Sequence, residues 1–329
     1  MVVLKIGIYG FGAIGRLLYK YAISRGHEVV SVVDIDEKFL GKDAGEISGI
    51  GRQGVLVSSS LTGIEEADVV IHATGSYLDK VFDQIVSLVE SGVNVVSTCE
   101  TLAYPYYRYP VLSKRLDELS RGYGVVVIGT GINPGLLMDT LVVAVSSSLP
   151  SVKKIKVVRS LDAAKRREPF RRKIGVGEKP TIVKERLLKG ELTGHVGFAE
   201  SIYLIAQSGD LELSHVVEGQ EPVEASEVVE SSSIRVERGL NKGVIGYGVG
   251  YVGENELIRL EFHAYVGAPE YEEITVEGRD ATVTWRSSGT PGDLGTVSMV
   301  LNVAEKVLYI PYGLRLMTEL LPFRIKFEL

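Results

Sequence analysis

The fold is decided by the stretch Leu4-Lys-Ile-Gly-Ile-Tyr-Gly10-Phe-Gly12-Ala-Ile-Gly15-Arg16. Its glycines follow G-x-G-x-x-G spacing, and each has a separate steric purpose. Gly10 allows a tight turn, Gly12 lets the backbone approach a pyrophosphate, and Gly15 lets a helix pack on a strand. The stretch therefore predicts a turn that holds a pyrophosphate at the positive end of a helix dipole.

The surrounding sequence supports a complete dinucleotide-binding unit. Val2–Tyr9 is an apolar run typical of a buried parallel strand, Ala13–Arg25 has apolar residues at helical spacing, and Glu28–Val33 predicts a second strand. Asp34 follows that strand, where a carboxylate accepts hydrogen bonds from a ribose and repels a 2′-phosphate. We therefore predict NAD as the cofactor, while the cation of Arg16 leaves NADP open.

Composition excludes several other classes of protein. The chain has 329 residues, of which 45% are hydrophobic and 24% charged, and its net charge is −6. This is ordinary for a protein of two domains and gives no basic surface for nucleic acid. No apolar run is long enough to span a bilayer, and we expect no signal peptide. One cysteine indicates a reducing, cytoplasmic location, and the scarcity of Gln, Asn and Cys is typical of a thermophile.

The order of predicted elements divides the chain. Strands and helices alternate over residues 1–145, which predicts a doubly wound parallel sheet of the Rossmann type, ending in a helix at Leu136–Ser147. Residues 146–294 predict an α+β domain with an open, mostly antiparallel sheet for substrate binding and dimerisation. Residues 295–329 begin with a helix, Gly295–Val307, which we expect to return to the nucleotide-binding domain. The strands predicted in the middle region are residues 152–160, 234–237, 258–266, 273–277 and 281–285.

Polar residues that follow the strands are candidates for cofactor binding and catalysis. Thr74-Gly75-Ser76 and Thr98-Cys99-Glu100 each follow a predicted buried strand, at the sheet edge where ligands bind in this architecture. Ser76 can equally be a helix N-cap. Glu100, if partly shielded from water, has a raised pKa and acts as a base; the alternative is a charge that faces solvent.

The residues give several candidates for the substrate site, each of which also fits another role. His195 lies between glycines before a helix and fits either a substrate contact or a packing role. Asn133, next to Pro134, can hydrogen-bond a carboxamide or a substrate. The basic residues 165–167 and 171–173 are either a solvated face or a fork for a carboxylate. The five histidines are scattered, so no metal site is predicted, and Cys99 is more typical of a buried residue than of a nucleophile.

Several motifs in order resemble the 2,4-diaminopentanoate dehydrogenases and related native amine dehydrogenases. The similarity extends over nearly the whole chain. The motifs are Thr98-Cys-Glu-Thr-Leu-Ala-Tyr-Pro105, Gly129-Thr-Gly-Ile-Asn-Pro-Gly135, Met138-Asp139, Asp162-Ala-Ala-Lys-Arg-Arg167, Lys173-Ile-Gly-Val-Gly177, Gly194-His-Val-Gly-Phe-Ala-Glu-Ser201 and Pro311-Tyr-Gly-Leu-Arg-Leu-Met317. The wider superfamily is that of dihydrodipicolinate reductase, whose His-His and Ser-Gly-Thr catalytic motifs are missing.

The resemblance implies reversible, NAD(P)-dependent oxidative deamination of a small amine to a ketone and ammonia in a homodimer. It places the catalytic glutamate at Glu100. Its substrate contacts are expected among His195, Asn133, Tyr104, Arg171 and Arg172. The residues expected to contact the cofactor are Gly10, Phe11, Gly12, Ala13, Ile14, Gly15, Asp34, Thr74, Gly75, Ser76, Thr98, Cys99 and Asn133.

Two other functions fit the same sequence. One is an imine or enoyl reductase of the dihydrodipicolinate type, and the other is a non-catalytic module that binds NAD as a sensor. Ammonia-dependent oxidation of NADH by a ketone distinguishes an amine dehydrogenase from the reductase. Replacement of Glu100 by glutamine distinguishes an enzyme from the binding module, because the module does not need that carboxylate.

Overall fold

The computed structural model describes residues 3–232, 234–322 and 324–328. The chain forms two compact units, Met1–Leu136 with Pro291–Leu320, and Leu137–Thr290 with Leu321–Leu329. The last residues, expected with the nucleotide-binding domain, instead belong to the second unit, where Phe327 forms a parallel bridge with Val152. Val2, predicted to begin the first strand, lies outside the described residues. No helix in the described ranges has the length and apolar character needed to cross a membrane.

The helices and strands alternate in the first unit and are mainly strands in the second. The α-helices are α1 (Ala13–Ser24), α2 (Ala44–Ile47), α3 (Leu78–Glu90), α4 (Pro105–Arg108), α5 (Pro110–Tyr123), α6 (Thr140–Ser146), α7 (Glu168–Lys173), α8 (Pro180–Leu188), α9 (Phe198–Ser208) and α10 (Gly292–Ala304). The strands are β1 (Lys5–Tyr9), β2 (Glu28–Val33), β3 (Val57–Ser58), β4 (Val69–His72), β5 (Asn94–Ser97), β6 (Val126–Gly129), β7 (Val152–Asp162), β8 (His215–Glu224), β9 (Val229–Ser231), β10 (Ile234–Val236), β11 (Asn241–Val252), β12 (Asn255–Tyr265), β13 (Tyr271–Gly278), β14 (Thr282–Arg286) and β15 (Gly313–Arg315).

The first unit is built on a parallel sheet of order β15-β6-β5-β4-β1-β2-β3. Its strand pairs are all parallel among the described residues. All residues of β4 and β6 are buried, as expected for parallel strands that helices cover on both faces. The predicted doubly wound sheet is confirmed.

Helix α10 belongs to the first unit, although it follows the second unit in sequence. Val297, Val300 and Leu301 are buried in one cluster with Leu18 and Ala22 of α1. Burying an aliphatic side chain of this size contributes roughly 1.5–3 kcal/mol relative to leaving it exposed. The structure thus places this helix in the first unit.

The second unit contains a mixed sheet of order β14-β13-β7-β12-β11-β8. The pair β7 and β12 is parallel, and the other pairs of this sheet are antiparallel. The mostly antiparallel sheet was predicted, but β8 and β11 were not. Strand β11 contains Gly246, Gly248 and Gly250, and a Cβ on any of them would lie within 2.9 Å of Phe198 or Ile202 of α9. Glycines disfavour the prediction of a strand, but here they allow α9 to pack closely on the sheet.

One helix begins later than predicted. The predicted helix Leu136–Ser147 is observed as α6, which begins at Thr140. The residues before it form a turn, in which Gly135 has φ +127° and a Cβ there would lie 2.4 Å from the amide nitrogen of Gly131. Asp139 caps α6 by accepting a hydrogen bond from the Thr140 amide at 2.6 Å.

Candidate active site

The three glycines of the first turn have the separate steric roles that the motif predicts. Gly10 has φ +99°, and a Cβ there would lie 2.6 Å from the carbonyl oxygen of Ala73. A Cβ on Gly15 would lie 1.9 Å from the carbonyl oxygen of Gly10. A Cβ on Gly12 would meet nothing within 4 Å, so the backbone there borders open space at the start of α1. This arrangement fits the pyrophosphate of a dinucleotide against the helix N-terminus.

Asp34 joins the end of β2 to the glycine turn. Its Oδ2 accepts a hydrogen bond from the Phe11 amide at 2.5 Å, and its Oδ1 accepts one from the Asp36 amide at 2.8 Å. A carboxylate offers about four lone-pair positions. The side chain therefore retains acceptor capacity for ribose hydroxyls while it holds the turn in place.

Two cations lie over the ring of Phe39, which packs edge to face on Phe11 of the glycine turn with centroids 6.1 Å apart. The guanidinium of Arg16 is 5.6 Å and the ammonium of Lys38 is 4.6 Å from the centre of the Phe39 ring. Lys38 also forms an ion pair with Asp36. Asp34 is a carboxylate of the kind that favours a free ribose hydroxyl, whereas Arg16 and Lys38 are cations of the kind that attracts a phosphate.

Glu100 lies at the same edge of the parallel sheet as the glycine turn. The register pairs Tyr9 of β1 with His72 of β4, and His72 with Ser97 of β5, so the loops that follow these strands are neighbours. The Thr101 amide donates to the carbonyl oxygen of Ser76 at 3.1 Å, which joins the second and third of these loops. Glu100 is half-buried and begins a short 3-10 helix.

Other predicted residues of this unit occupy distinct environments. Cys99 is fully buried, and burial raises the pKa of its thiol to about 12, with a smaller contribution from the charge of Glu100. A buried thiol with a raised pKa is a weak nucleophile at neutral pH, as the sequence indicated. The half-buried Tyr104 ring packs edge to face on Tyr106, with centroids 5.6 Å apart, and Asn133 is half-buried in the loop after β6.

His195 lies in the second unit in a tightly held turn. Its amide donates to Oε1 of Gln220 at 2.7 Å, and Nε2 of Gln220 donates to the carbonyl oxygen of His195 at 3.0 Å. Its ring contacts the rings of Phe198 and Phe262, with centroid separations of 4.5 and 4.8 Å. Burial, and then the nearby charges of Arg159 and Lys173, lower the pKa of His195 to about 3, so the ring is neutral at physiological pH.

Arg159 is the residue of this region that sequence reasoning missed. It is almost fully buried on β7 and lies 3.5 Å from Glu272, the distance being from Nε to Oε1. Burial lowers the pKa of Arg159 to about 10, which Glu272 opposes and Arg166 reinforces. The available signal was a single charge within the otherwise uncharged run Val157-Val-Arg-Ser-Leu161. A buried guanidinium beside a neutral imidazole suits an anionic group such as a carboxylate.

Arg171 and Arg172, predicted to belong either to a solvated face or to a fork for a carboxylate, have different surroundings. Arg171 donates a hydrogen bond to the carbonyl oxygen of Arg166. The side chain of Arg172 is 75% exposed and pairs with Glu168, one turn earlier on α7, at 3.5 Å. Arg172 therefore faces solvent, on a short helix that has no buried residue.

Comparison with known proteins identifies the family. The family model for the 2,4-diaminopentanoate dehydrogenase C-terminal domain matches residues 136–325, and that for the dihydrodipicolinate reductase N-terminus matches residues 4–100. The chain is 31% identical to the 2,4-diaminopentanoate dehydrogenase of Acetoanaerobium sticklandii over 96% of its own length and 93% of that protein.

Solved structures share the fold. An amine dehydrogenase from Mycobacterium smegmatis aligns with a TM-score of 0.85 at 21% identity, over 98% of this chain and 97% of that one. The WlbA dehydrogenase from Bordetella pertussis, solved with NADH, aligns with a TM-score of 0.52 at 15% identity, over 88% and 79%. The glycine turn and Asp34 fit a nicotinamide cofactor of this kind. By sequence, the chain belongs to the 2,4-diaminopentanoate dehydrogenase family and is a dehydrogenase.

Proposed function

We propose that this protein catalyses the NAD(P)-dependent oxidative deamination of 2,4-diaminopentanoate, or of a closely similar small amine, to 2-amino-4-oxopentanoate and ammonia. The observation that carries the proposal is the position of Glu100. Its loop follows β5 and the glycine turn follows β1, and these two strands flank β4 in the parallel sheet, so both segments lie at the same edge. The near full-length similarity to a 2,4-diaminopentanoate dehydrogenase supports the choice of substrate.

Glu100 has a defined role in this reaction. When bound, the nicotinamide accepts a hydride from the carbon that carries the amine. That hydride leaves only when the nitrogen lone pair is free, and an alkyl ammonium has a pKa of about 10. The carboxylate of Glu100 removes the ammonium proton and then assists the addition of water to the iminium and the departure of ammonia. Overall, ammonium substrate, NAD⁺ and water yield ketone, ammonium ion, NADH and one proton.

Arg159 and His195 support a substrate that carries a carboxylate. Both lie in the second unit, and Arg159 acts on the pKa of His195 through its charge. Glu272 neutralises part of that charge and also accepts hydrogen bonds from Ser287 and Thr290. We propose that Arg159 binds the carboxylate while the neutral His195 contributes a hydrogen bond. Asn133, Tyr104, Arg171 and Arg172 also remain proposed substrate contacts.

We propose that NAD is the preferred cofactor and that NADP is also accepted. The carboxylate of Asp34 supports NAD because it hydrogen-bonds a ribose hydroxyl and repels a phosphate. Arg16 and Lys38, which both lie against Phe39, support some use of NADP. The glycine turn and Asp34 would hold either cofactor, with Thr74, Gly75, Ser76 and Thr98 at the adjoining sheet edge.

We also propose that the protein acts as a cytoplasmic homodimer. Helix α9 covers one face of the second sheet, whereas Val217 and Ile245 lie on the other face and are 41% and 36% exposed. Exposed apolar residues on one sheet face favour association with a second copy. The single buried thiol, Cys99, is consistent with a reducing compartment.

The proposal is tested by reductive amination of 2-amino-4-oxopentanoate with ammonia, using NADH and NADPH side by side. We expect ammonia-dependent oxidation of NADH, and a KM roughly tenfold or more higher for 2-pentanone, which has no carboxylate to bind Arg159. Glu100→Gln should lower kcat by about 10²–10⁴-fold without loss of NADH binding. Glu90→Gln, an exposed position at the end of α3, is the matched control.

Three results would contradict the proposal. Full turnover by Glu100→Gln would remove the carboxylate from the chemistry. Reduction of a preformed cyclic imine or enoyl substrate without any requirement for ammonia would favour a reductase. Tight NADH binding without turnover of any ketone would favour a binding module.

A further inference from the structure

A fully buried histidine lies beneath the candidate active site and has no role in the proposed reaction. His72 ends β4, and its side chain has no exposed surface. Its Nδ1 is 2.9 Å from Oγ of Ser97, and its Nε2 is 2.9 Å from both Oε1 of Gln84 and Oγ1 of Thr74. All four residues belong to the first unit. Ser97 ends β5 and Thr74 follows β4, where the two loops that contain Ser76 and Glu100 begin.

The geometry assigns each hydrogen in this cluster. Oε1 of Gln84 can only accept, so Nε2 of His72 carries the proton and Nδ1 is an acceptor. The Ser97 hydroxyl therefore donates to Nδ1, and its oxygen accepts the Cys99 amide at 3.1 Å. The Thr74 hydroxyl donates to Oε1 of Gln84 at 2.6 Å. Burial lowers the pKa of His72 to about 4, so the ring stays neutral and this arrangement persists at physiological pH.

The chain of hydrogen bonds ends one residue before Glu100. Cys99, Thr101 and Leu102 are buried in the core. If Ser97 lost its hydroxyl, the Cys99 amide would therefore be buried without this hydrogen-bond acceptor. We propose that His72 is a positioning residue for the dehydrogenase reaction: through Ser97 it fixes the backbone that carries Glu100, and through Thr74 it fixes the neighbouring loop at the same edge. The inference rests on the proposed function, since it assigns the purpose of the cluster to the placement of that carboxylate.

Ser97→Ala is the smallest change that breaks the chain. It removes the acceptor of the Cys99 amide and the donor to His72, so the Glu100 loop can drift while the glycine turn is untouched. Displacing a catalytic group by about 1 Å costs up to about 10²-fold, so we expect kcat to fall roughly 10–100-fold while the NADH Kd changes less than about twofold. Ser120→Ala is the matched control, because its buried hydroxyl donates to the carbonyl oxygen of Leu116 at 2.6 Å, away from the site.

Variants that keep some of the hydrogen bonds of Ser97 and His72 distinguish a positioning role of this cluster from a role in packing alone. Ser97→Thr keeps the hydroxyl and should recover most of the lost kcat. His72→Asn places an amide oxygen near the position of Nδ1 and should keep the link to Ser97. His72→Gln reaches instead toward the position of Nε2 and should lose that link. We therefore expect a higher kcat for His72→Asn than for His72→Gln at similar stability in urea.

The outcomes are distinct. The inference is wrong if Ser97→Ala keeps the kcat of the native enzyme, or if Ser97→Ala and Ser120→Ala lose kcat equally. If Glu100→Gln remains active, the proposed function fails, and the cluster itself is still tested by ¹⁵N NMR of His72. A neutral ring protonated on Nε2 at pH 6 supports the assigned network, whereas a ring protonated on Nδ1 or on both nitrogens overturns it.

Discussion

Replacement by alanine should weaken NADH binding at Gly12 and destabilise the fold at Gly15, although both glycines belong to the first turn. Gly12 has φ −65° and ψ −159°, a conformation open to other residues, and a Cβ there meets nothing within 4 Å. Gly12→Ala should therefore leave the free energy of unfolding unchanged, or raise it by roughly 0.4–1 kcal/mol by restricting the unfolded chain. The new methyl group occupies the space predicted for the pyrophosphate. An overlap of this kind costs about 1–3 kcal/mol, so the NADH Kd should rise roughly 5–150-fold.

Gly15→Ala should instead destabilise the fold. Its Cβ would lie 1.9 Å from the carbonyl oxygen and 2.9 Å from the carbonyl carbon of Gly10. A backbone atom cannot rotate away as a side chain can, so α1 must move off the turn. We expect a loss of at least about 3 kcal/mol in the free energy of unfolding, at the upper end of ordinary overpacking.

Urea unfolding and NADH fluorescence titration measure both effects on the same preparations. Gly26→Ala is not a suitable control, because its φ of +83° adds strain, whereas Gly122→Ala has neither a close contact nor a positive φ. Undiminished NADH affinity in Gly12→Ala would show that the dinucleotide does not lie over this turn. Native stability in Gly15→Ala would show that the close approach of α1 is not required.

Two further predictions concern ionisable groups. The buried carboxylate of Asp43 accepts hydrogen bonds from the amides of Gly45, Glu46, Gln53 and Gly54, and these outweigh desolvation and hold its pKa below the usual value. The contribution of this carboxylate to stability should be complete above about pH 4, near the unfolded pKa, and lost as pH falls through the lower folded pKa. The difference in unfolding free energy between the native protein and Asp43→Asn should therefore shrink on acidification. A constant difference between pH 6 and pH 2 would contradict this. Cys99, whose pKa is raised to about 12, should resist iodoacetamide at pH 8 in the native protein and react after unfolding in urea; prompt native labelling, followed by mass spectrometry, would show that the thiol is accessible.

Features set by local patterns were predicted closely. The glycine motif, the second strand at Glu28–Val33 and the position of Asp34 all agree with the structure. Each depends on steric limits or on periodicity within a short segment, which do not require knowledge of distant residues. Helix α10 was also predicted, because its apolar side chains repeat at helical spacing, but at Gly295–Val307 and not at the observed Gly292–Ala304.

Features set by contacts between distant residues were missed. Strand β11 contains glycines that disfavour a strand, and they are present because Phe198 and Ile202 pack on them. Edge strand β8 contains Pro222 and several glutamates, which are typical of edges but give no apolar pattern. The start of α6 was misplaced because the turn before it depends on the close approach of Gly135 to Gly131.

The sequence by itself determined the nucleotide-binding unit, the class of fold, the family and the glutamate proposed as the base, because each is encoded in contiguous motifs. The tertiary structure decided which polar groups become buried partners. Arg159 meets Glu272, and His72 meets Gln84 and Ser97, only because separate strands and helices bring them together. Burial sets their charge states, and burial is a property of the packed chain that no single stretch of residues contains.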